Sequence, residues 1–283
     1  AGNRARFFID RGLIADISDM WTANGFDTAM APGFQALATV NDSQYFMPTS
    51  YYWWAVYYRP SLFERAGIEA VPETWDEFLG ACDALNAAGI SPITIGTRYP
   101  WTAAAWFDYL NMRVNGPEFH IDLMLLNESY TDERGKNVFT YWNELFEHDC
   151  FIDDPAAYAW QEAVDFMVQE EAAMYLMGGF IYDSYPDELE EDLDFFRFPI
   201  IDPNIPVGED APTDGYFIAA NARNLEGGKE FLAFLASQEV QQLVFDELGR
   251  LPTRNDVDVS TAPARIQKGV ELVQGADYVA QFY

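Results

Sequence analysis

Residues 51–58 read Tyr-Tyr-Trp-Trp-Ala-Val-Tyr-Tyr, and this run constrains the fold more than any other part of the chain. Rings and a β-branched residue in such density favour a strand. Successive side chains on a strand alternate between its faces. Tyr51, Trp53, Ala55 and Tyr57 therefore point one way, and Tyr52, Trp54, Val56 and Tyr58 the other. A strand with rings on both faces is buried on both, or it lines a surface for a partner that takes flat apolar area. The C–H faces of a sugar are such a partner.

The helix that follows is equally legible. Pro60 suits a first helical turn, and Gly67 suits a C-terminal stop. Thr74 and Glu77 are spaced as a capping box, each side chain meeting the other's free amide. Behind them Phe78, Ala81, Cys82 and Leu85 share one helical face, which ends at Gly89. Further helices are expected over 101–114, 132–148, 158–168, 225–236 and 238–248, the last two split at Ser237. Strands are expected over 91–96, 172–177, 195–199 and 215–220, with a Pro-rich loop over 201–213. Strands alternating with helices give an α/β class.

Composition narrows the function. The chain has 283 residues, 49% hydrophobic and 16% aromatic, enough for one large or two medium cores. No apolar run approaches the roughly 20 residues of a membrane span. Sixteen basic residues face 46 acidic ones, a net charge of −30, and Lys136, Lys229 and Lys268 are the lysines. Such a surface repels nucleic acid and anionic membranes. It suits either a salty medium, where screening relieves self-repulsion, or the acidic bias of a secreted protein. The acidic run over 187–194 and Glu170-Glu171 read as solvated faces.

Cys82 and Cys150 make no disulfide framework; a buried free thiol and a single bridge both stay open for them. His120 and His148 lack metal-ligand spacing, so no metal and no cofactor is expected.

Four blocks carry a resemblance. The first holds Tyr57, Tyr58, Arg59, Leu62, Phe63, Ala66, Gly67, Ile68, Pro72, Thr74, Trp75, Glu77 and Phe78. Pro100-Trp101 through Tyr109 is the second. Ala172-Ala173-Met174-Tyr175-Leu176-Met177-Gly178 is the third. Asp214-Gly215-Tyr216-Phe217-Ile218 followed by Lys229-Glu230-Phe231 is the fourth. In order and spacing they resemble the family 1 extracellular solute-binding proteins, the sugar-capturing subunits of ABC importers. The resemblance implies a two-lobe periplasmic binding protein fold, type II-like and hinge-connected, closing on a sugar between the lobes. It puts 1–55 and 215–252 in the first lobe and 56–214 and 253–283 in the second, with the third crossing near 251–254. It also implies that the chain is truncated at both ends, with the first lobe incomplete. A periplasmic or extracellular location follows, with a lipoprotein anchor conceivable in a full-length form.

Sugar recognition asks for rings against the apolar faces and fixed polar groups for the hydroxyls. The ring candidates are Trp53, Trp54, Trp101 and Phe180. Trp101 follows Tyr99-Pro100 at a strand-to-helix turn, and Phe180 follows Gly178-Gly179. Alternation lets only one of Trp53 and Trp54 face a ligand. Trp106 is a further ring candidate whose reading leans to core, and Trp75 and Trp142 read as structural. The polar candidates are Asp214, Tyr216, Asp108 and Arg254, the last reaching a ligand or forming an ion pair. The expected partners are a carbohydrate and the permease subunits of an ABC transporter. Two rivals remain. A binding protein for a compatible solute or amine would need three or more rings around one point. A glycosidase would need two carboxyls about 5–9.5 Å apart. No nucleophile motif, P-loop or dinucleotide fingerprint is present, and no enzyme is expected.

Overall fold

The structure, a computed structural model, describes residues 2–280 and the side chains of residues 5–279. The chain divides into two compact units. The first comprises Ala1–Tyr52 and Ala211–Lys268, the second Trp53–Asp210 and Gly269–Tyr283.

In the first unit short helices Ser18–Ala23, Phe26–Ala29 and Pro32–Ala38 lead into a two-residue hairpin, Thr39–Val40 with Ser43–Gln44. Its turn residues Asn41 and Asp42 have φ of 49° and 63°, the left-handed region these two types tolerate best. Strand Met47–Tyr51 then pairs antiparallel with Thr213–Tyr216. Helices Leu225–Leu235 and Gln238–Leu248 close the unit, and the Ser237 hydroxyl accepts from the Val240 amide at the second helix's start. The core gathers Ile17, Trp21, Phe26, Met30, Phe46, Met47, Ile218 and Leu232.

A four-stranded sheet forms the centre of the second unit, in the order Ser91–Ile93, Ala172–Gly178, Trp54–Tyr58, Asp194–Phe196. The first two strands are parallel and the other pairings antiparallel. Every residue of Ala172–Gly178 is buried, as a central strand covered on both faces requires. The capping box forms as expected: the Glu77 amide meets the Thr74 hydroxyl at 3.4 Å and the Thr74 amide meets the Glu77 carboxylate at 3.0 Å. Trp75 and Trp106 are buried; the Trp75 indole N–H donates to Glu144 at 2.6 Å.

Three expectations need correcting. The aromatic run is not one strand: Tyr52 and Trp53 interrupt it, and the chain changes unit between them. The helical stretch Trp101–Met124 is two helices meeting at a kink, where Gly116 is non-helical at φ 81° and Pro117 follows, so the helix expected over 101–114 ends where its sequence pattern stops. The 201–213 loop contains a strand, Gly208–Asp210, parallel to Tyr278–Ala280. Residues 253–268 lie in the first unit. The buried Thr253 hydroxyl donates to the Pro48 carbonyl at 3.0 Å, and its amide donates to Gln241 at 3.0 Å, which ties the segment there.

The second unit also buries an ionic cluster. Glu209 is fully buried and receives Arg113 at 2.9 Å, Arg197 at 3.0 Å and the Tyr109 hydroxyl at 3.0 Å. Its neighbour Asp210 is fully buried, and neither carboxylate oxygen has a hydrogen-bond partner among the described residues.

Candidate functional site

Trp54 opens its strand in register with Gly178, which ends the neighbouring strand. The end of the sheet where Ala172–Gly178 finishes is therefore the end where Trp54 begins. Ser91–Ile93, parallel to Ala172–Gly178, finishes there too. Chain leaving strands at such an end is where α/β sheets place ligands.

Two loops leave this end and are bound to each other. The Thr97 amide donates to the Pro155 carbonyl at 2.8 Å, and the Arg98 amide to the Tyr158 carbonyl at 3.0 Å. The buried Thr94 hydroxyl donates to the Ala163 carbonyl at 2.8 Å. Arg98 pairs with Glu162 at 2.9 Å, and Glu162 caps its own helix by accepting from the Ala159 amide at 2.6 Å. That backbone hydrogen bond first, opposed by desolvation and helped by the Arg98 pairing, holds the Glu162 carboxyl below its ordinary range. Only glycine fits at position 96, because a Cβ there would run into the Ala159 carbonyl.

This close approach brings two helix starts together. Trp101 is the first residue of helix Trp101–Met124, and Trp160 is the first residue of Trp160–Val168. Their ring centroids are 6.2 Å apart. Phe180, in the turn Gly179–Ser184, sits 5.2 Å from Trp160 and 6.2 Å from Trp101. Trp54 completes the group, edge-to-face with Trp101 at 6.0 Å and with Phe180 at 6.2 Å. Trp54 is buried, whereas Trp101, Trp160 and Phe180 are half-buried. The four rings form a platform with a buried base and three partly open members.

Trp53 sits elsewhere. It is 2% exposed, packs on Phe195 at 5.6 Å, and its ring lies against Gly179 and Gly269. It is a core residue, and of the adjacent pair only Trp54 joins the platform. Trp160 was missed by sequence reasoning. Its signal was available: like Trp101, it is a tryptophan at the first turn of a helix after a Pro-containing loop.

In the first unit Asp214 stands opposite Ser50 in the two-stranded pairing. It lines a cavity of about 350 Å³ together with Tyr216, Thr49, Gln241 and Arg250. As a residue Asp214 is exposed, yet desolvation of its carboxyl raises it above the ordinary value, with Arg250 acting in the opposite direction. Tyr216, 50% exposed, borders the same cavity. Arg254 does not join them. It is clamped by Asp256 through two hydrogen bonds of 2.7 Å and donates to the Ala236 carbonyl at 3.0 Å, which leaves it an ion-pairing role within the first unit. Asp108 is buried in the second unit beside Asp210 and not among the rings.

Among the described residues no group of three or more His, Cys, Asp or Glu side chains could hold a metal ion. Among them, too, no helix is long and apolar enough to cross a membrane.

Comparison with known proteins bears on the family and the fold. The sequence profile of the bacterial extracellular solute-binding proteins matches residues 1–242. An uncharacterized ABC transporter extracellular-binding protein of Pyrococcus horikoshii is 25% identical over 260 residues, covering 90% of this chain and 57% of the relative. A probable sugar-binding periplasmic protein of Mesorhizobium japonicum is 22% identical over 275 residues, covering 94% of this chain and 64% of the relative. The chain thus spans less than two thirds of the length of either. Among solved structures, the bacterial solute receptor AcbH superposes with a TM-score of 0.91 at 28% identity, over 99% of this chain and 72% of that one.

Proposed function

Since the chain belongs to the bacterial extracellular solute-binding protein family, we propose that it captures a carbohydrate outside the cytoplasm and delivers it to an ABC-type permease. The observation that carries the ligand class is the ring platform of Trp54, Trp101, Trp160 and Phe180. Rings add contact area at low entropy cost, and a rigid sheet end holds them in place before the ligand arrives. The names of similar proteins support the same class: one is a probable sugar-binding protein, and AcbH is described as preferring β-D-galactopyranose. We assign Trp101, Trp160 and Phe180 to the apolar face of the sugar, with Trp54 as the buried base beneath them. Asp214 and Tyr216 are assigned as hydroxyl partners in the first unit.

A cation cage is the other use of such rings, since a quaternary ammonium takes several within about 6 Å of it. Trp101, Trp160 and Phe180 meet that ring count, so the choice of a sugar over a cation draws on the sugar-binding proteins this chain is similar to. The family is one of solute-binding proteins, which supports a binding role over catalysis.

A thermal-shift series with mono- and oligosaccharides tests the reading, because a ligand that binds only the native state raises the midpoint. A rise with at least one sugar and none with glycine betaine is expected. A rise with betaine alone would sink the sugar reading.

A further inference from the structure

We propose that Cys82 and Cys150 are a disulfide-forming pair, bridged when the chain folds in an oxidising compartment. They are the chain's two cysteines, and both are fully buried in the second unit. Cys82 lies on the buried face of helix Trp75–Ala87, and Cys150 lies just after helix Glu133–Glu147. Both thiols are free in this structure, and the Cys82 thiol has the Cys150 thiol as its neighbour.

The pair is held by contacts that do not involve sulfur. The Asn86 amide donates to the His148 carbonyl at 2.9 Å and the Asp149 carbonyl at 3.2 Å. Asp83 meets His148 Nδ1 at 2.8 Å. The Cys150 amide donates to the Leu145 carbonyl at 2.8 Å, and its carbonyl accepts from the Ile93 amide at 2.8 Å. Two elements distant in sequence are thereby fixed side by side, which keeps Cys82 and Cys150 neighbours as a disulfide requires. A metal is the other use for paired thiols. Among the described residues no third His, Cys, Asp or Glu joins them to make a metal site.

Burial pushes the Cys82 thiol well up, so thiolate is scarce in the folded chain and the bridge forms while the segment is open. One cysteine loses its proton and its thiolate attacks a sulfur of a small-molecule disulfide, releasing one thiol. The second thiolate then attacks the mixed disulfide, releasing the other thiol. Two protons leave the protein, and its two electrons reduce the oxidant. The closed loop stabilises the fold by restricting the unfolded chain. The proposal rests on the geometry of this pair and not on the ligand assigned above.

The test unfolds the full chain, refolds it with glutathione and glutathione disulfide, quenches with acid, denatures, and alkylates with N-ethylmaleimide. Intact mass is expected to show no maleimide adduct and the loss of the two thiol hydrogens. A digest should contain one peptide pair joined through Cys82 and Cys150. Dithiothreitol should lower the unfolding midpoint by roughly 10 °C. Cys82→Ala and Cys150→Ala should each give a midpoint insensitive to dithiothreitol. Two maleimide adducts, glutathione adducts or linked dimers in the parent chain overturn the proposal, as does a reductant-sensitive midpoint in either variant.

Discussion

Trp101 and Trp160 stand 6.2 Å apart, centroid to centroid, with their planes at 71°, although 59 positions separate them in sequence. Each opens a helix, so each ring is carried by a rigid element at its least crowded end. If both contact one sugar, Trp101→Ala and Trp160→Ala should each weaken binding by about 1–2 kcal/mol, roughly 5–30-fold. The double variant should lose less than the sum, because each ring also positions the other. Isothermal titration of the best sugar from the thermal-shift series reads both effects. Variants that lose affinity while keeping their unfolding midpoint locate the loss in the site.

Gly96→Ala should damage fold and site together. The added methyl meets the Ala159 carbonyl, which is backbone and has no rotamer to escape into. Overpacking of this kind costs about 1–3 kcal/mol. Denaturant unfolding should show the unfolding free energy falling by that amount. Sugar affinity should fall as well, since the loops that carry Trp101 and Trp160 are forced apart.

His120 should make stability fall with acid. It is 1% exposed, it accepts from the Asn111 amide at Nδ1 at 3.3 Å, and burial pushes its pKa from 6.5 down to about 4. The folded state resists the proton that the unfolded chain accepts. Its contribution is therefore complete above pH 6.5 and is lost as pH falls from there toward 4, about 3 kcal/mol in all. Unfolding curves between pH 7 and 4 should show this slope in the parent chain and lack it in His120→Gln.

Asp210 should act with the opposite sign. Burial first, then the nearby Asp108 and Glu209, hold its carboxyl well above 3.8, with Arg113 opposing them. The folded chain keeps this proton at pH values where the unfolded chain releases it, so stability is lost as pH rises above the ordinary carboxylate range. Asp210→Asn has no proton to lose. Its unfolding midpoint should exceed the parent's by a few degrees near pH 8, and the gap should close toward pH 4. A parent chain that is the more stable of the two at pH 8 would show that the carboxylate is satisfied when ionised.

What the sequence by itself determined is local chemistry. Thr74 with Glu77 and Ser237 with the Val240 amide mark helix starts because a side-chain oxygen meets a free amide within one turn. Gly67, Gly89 and Gly249 mark helix ends because φ of 63–75° there suits a residue without Cβ. The alternation of strands and helices gave the class, and four spaced blocks gave the family. What only the tertiary structure decided is which side chains meet. Alternation states that Trp53 and Trp54 face opposite ways, but not which way the ligand lies. The fold puts Trp54 among Trp101 and Phe180 at the strand end marked by Gly178, and the Gly179 and Gly269 backbones claim Trp53 for the core. Trp160 joins Trp101 through the close approach at Gly96, which no short window of sequence displays. Arg254 loses its free donors to Asp256 and Ala236, and 253–268 joins the first unit through Thr253 and Gln241. Caps and turns are completed within a few residues and are legible from them. Ring contacts, buried charges and unit boundaries depend on distant partners, and folding alone brings those into range.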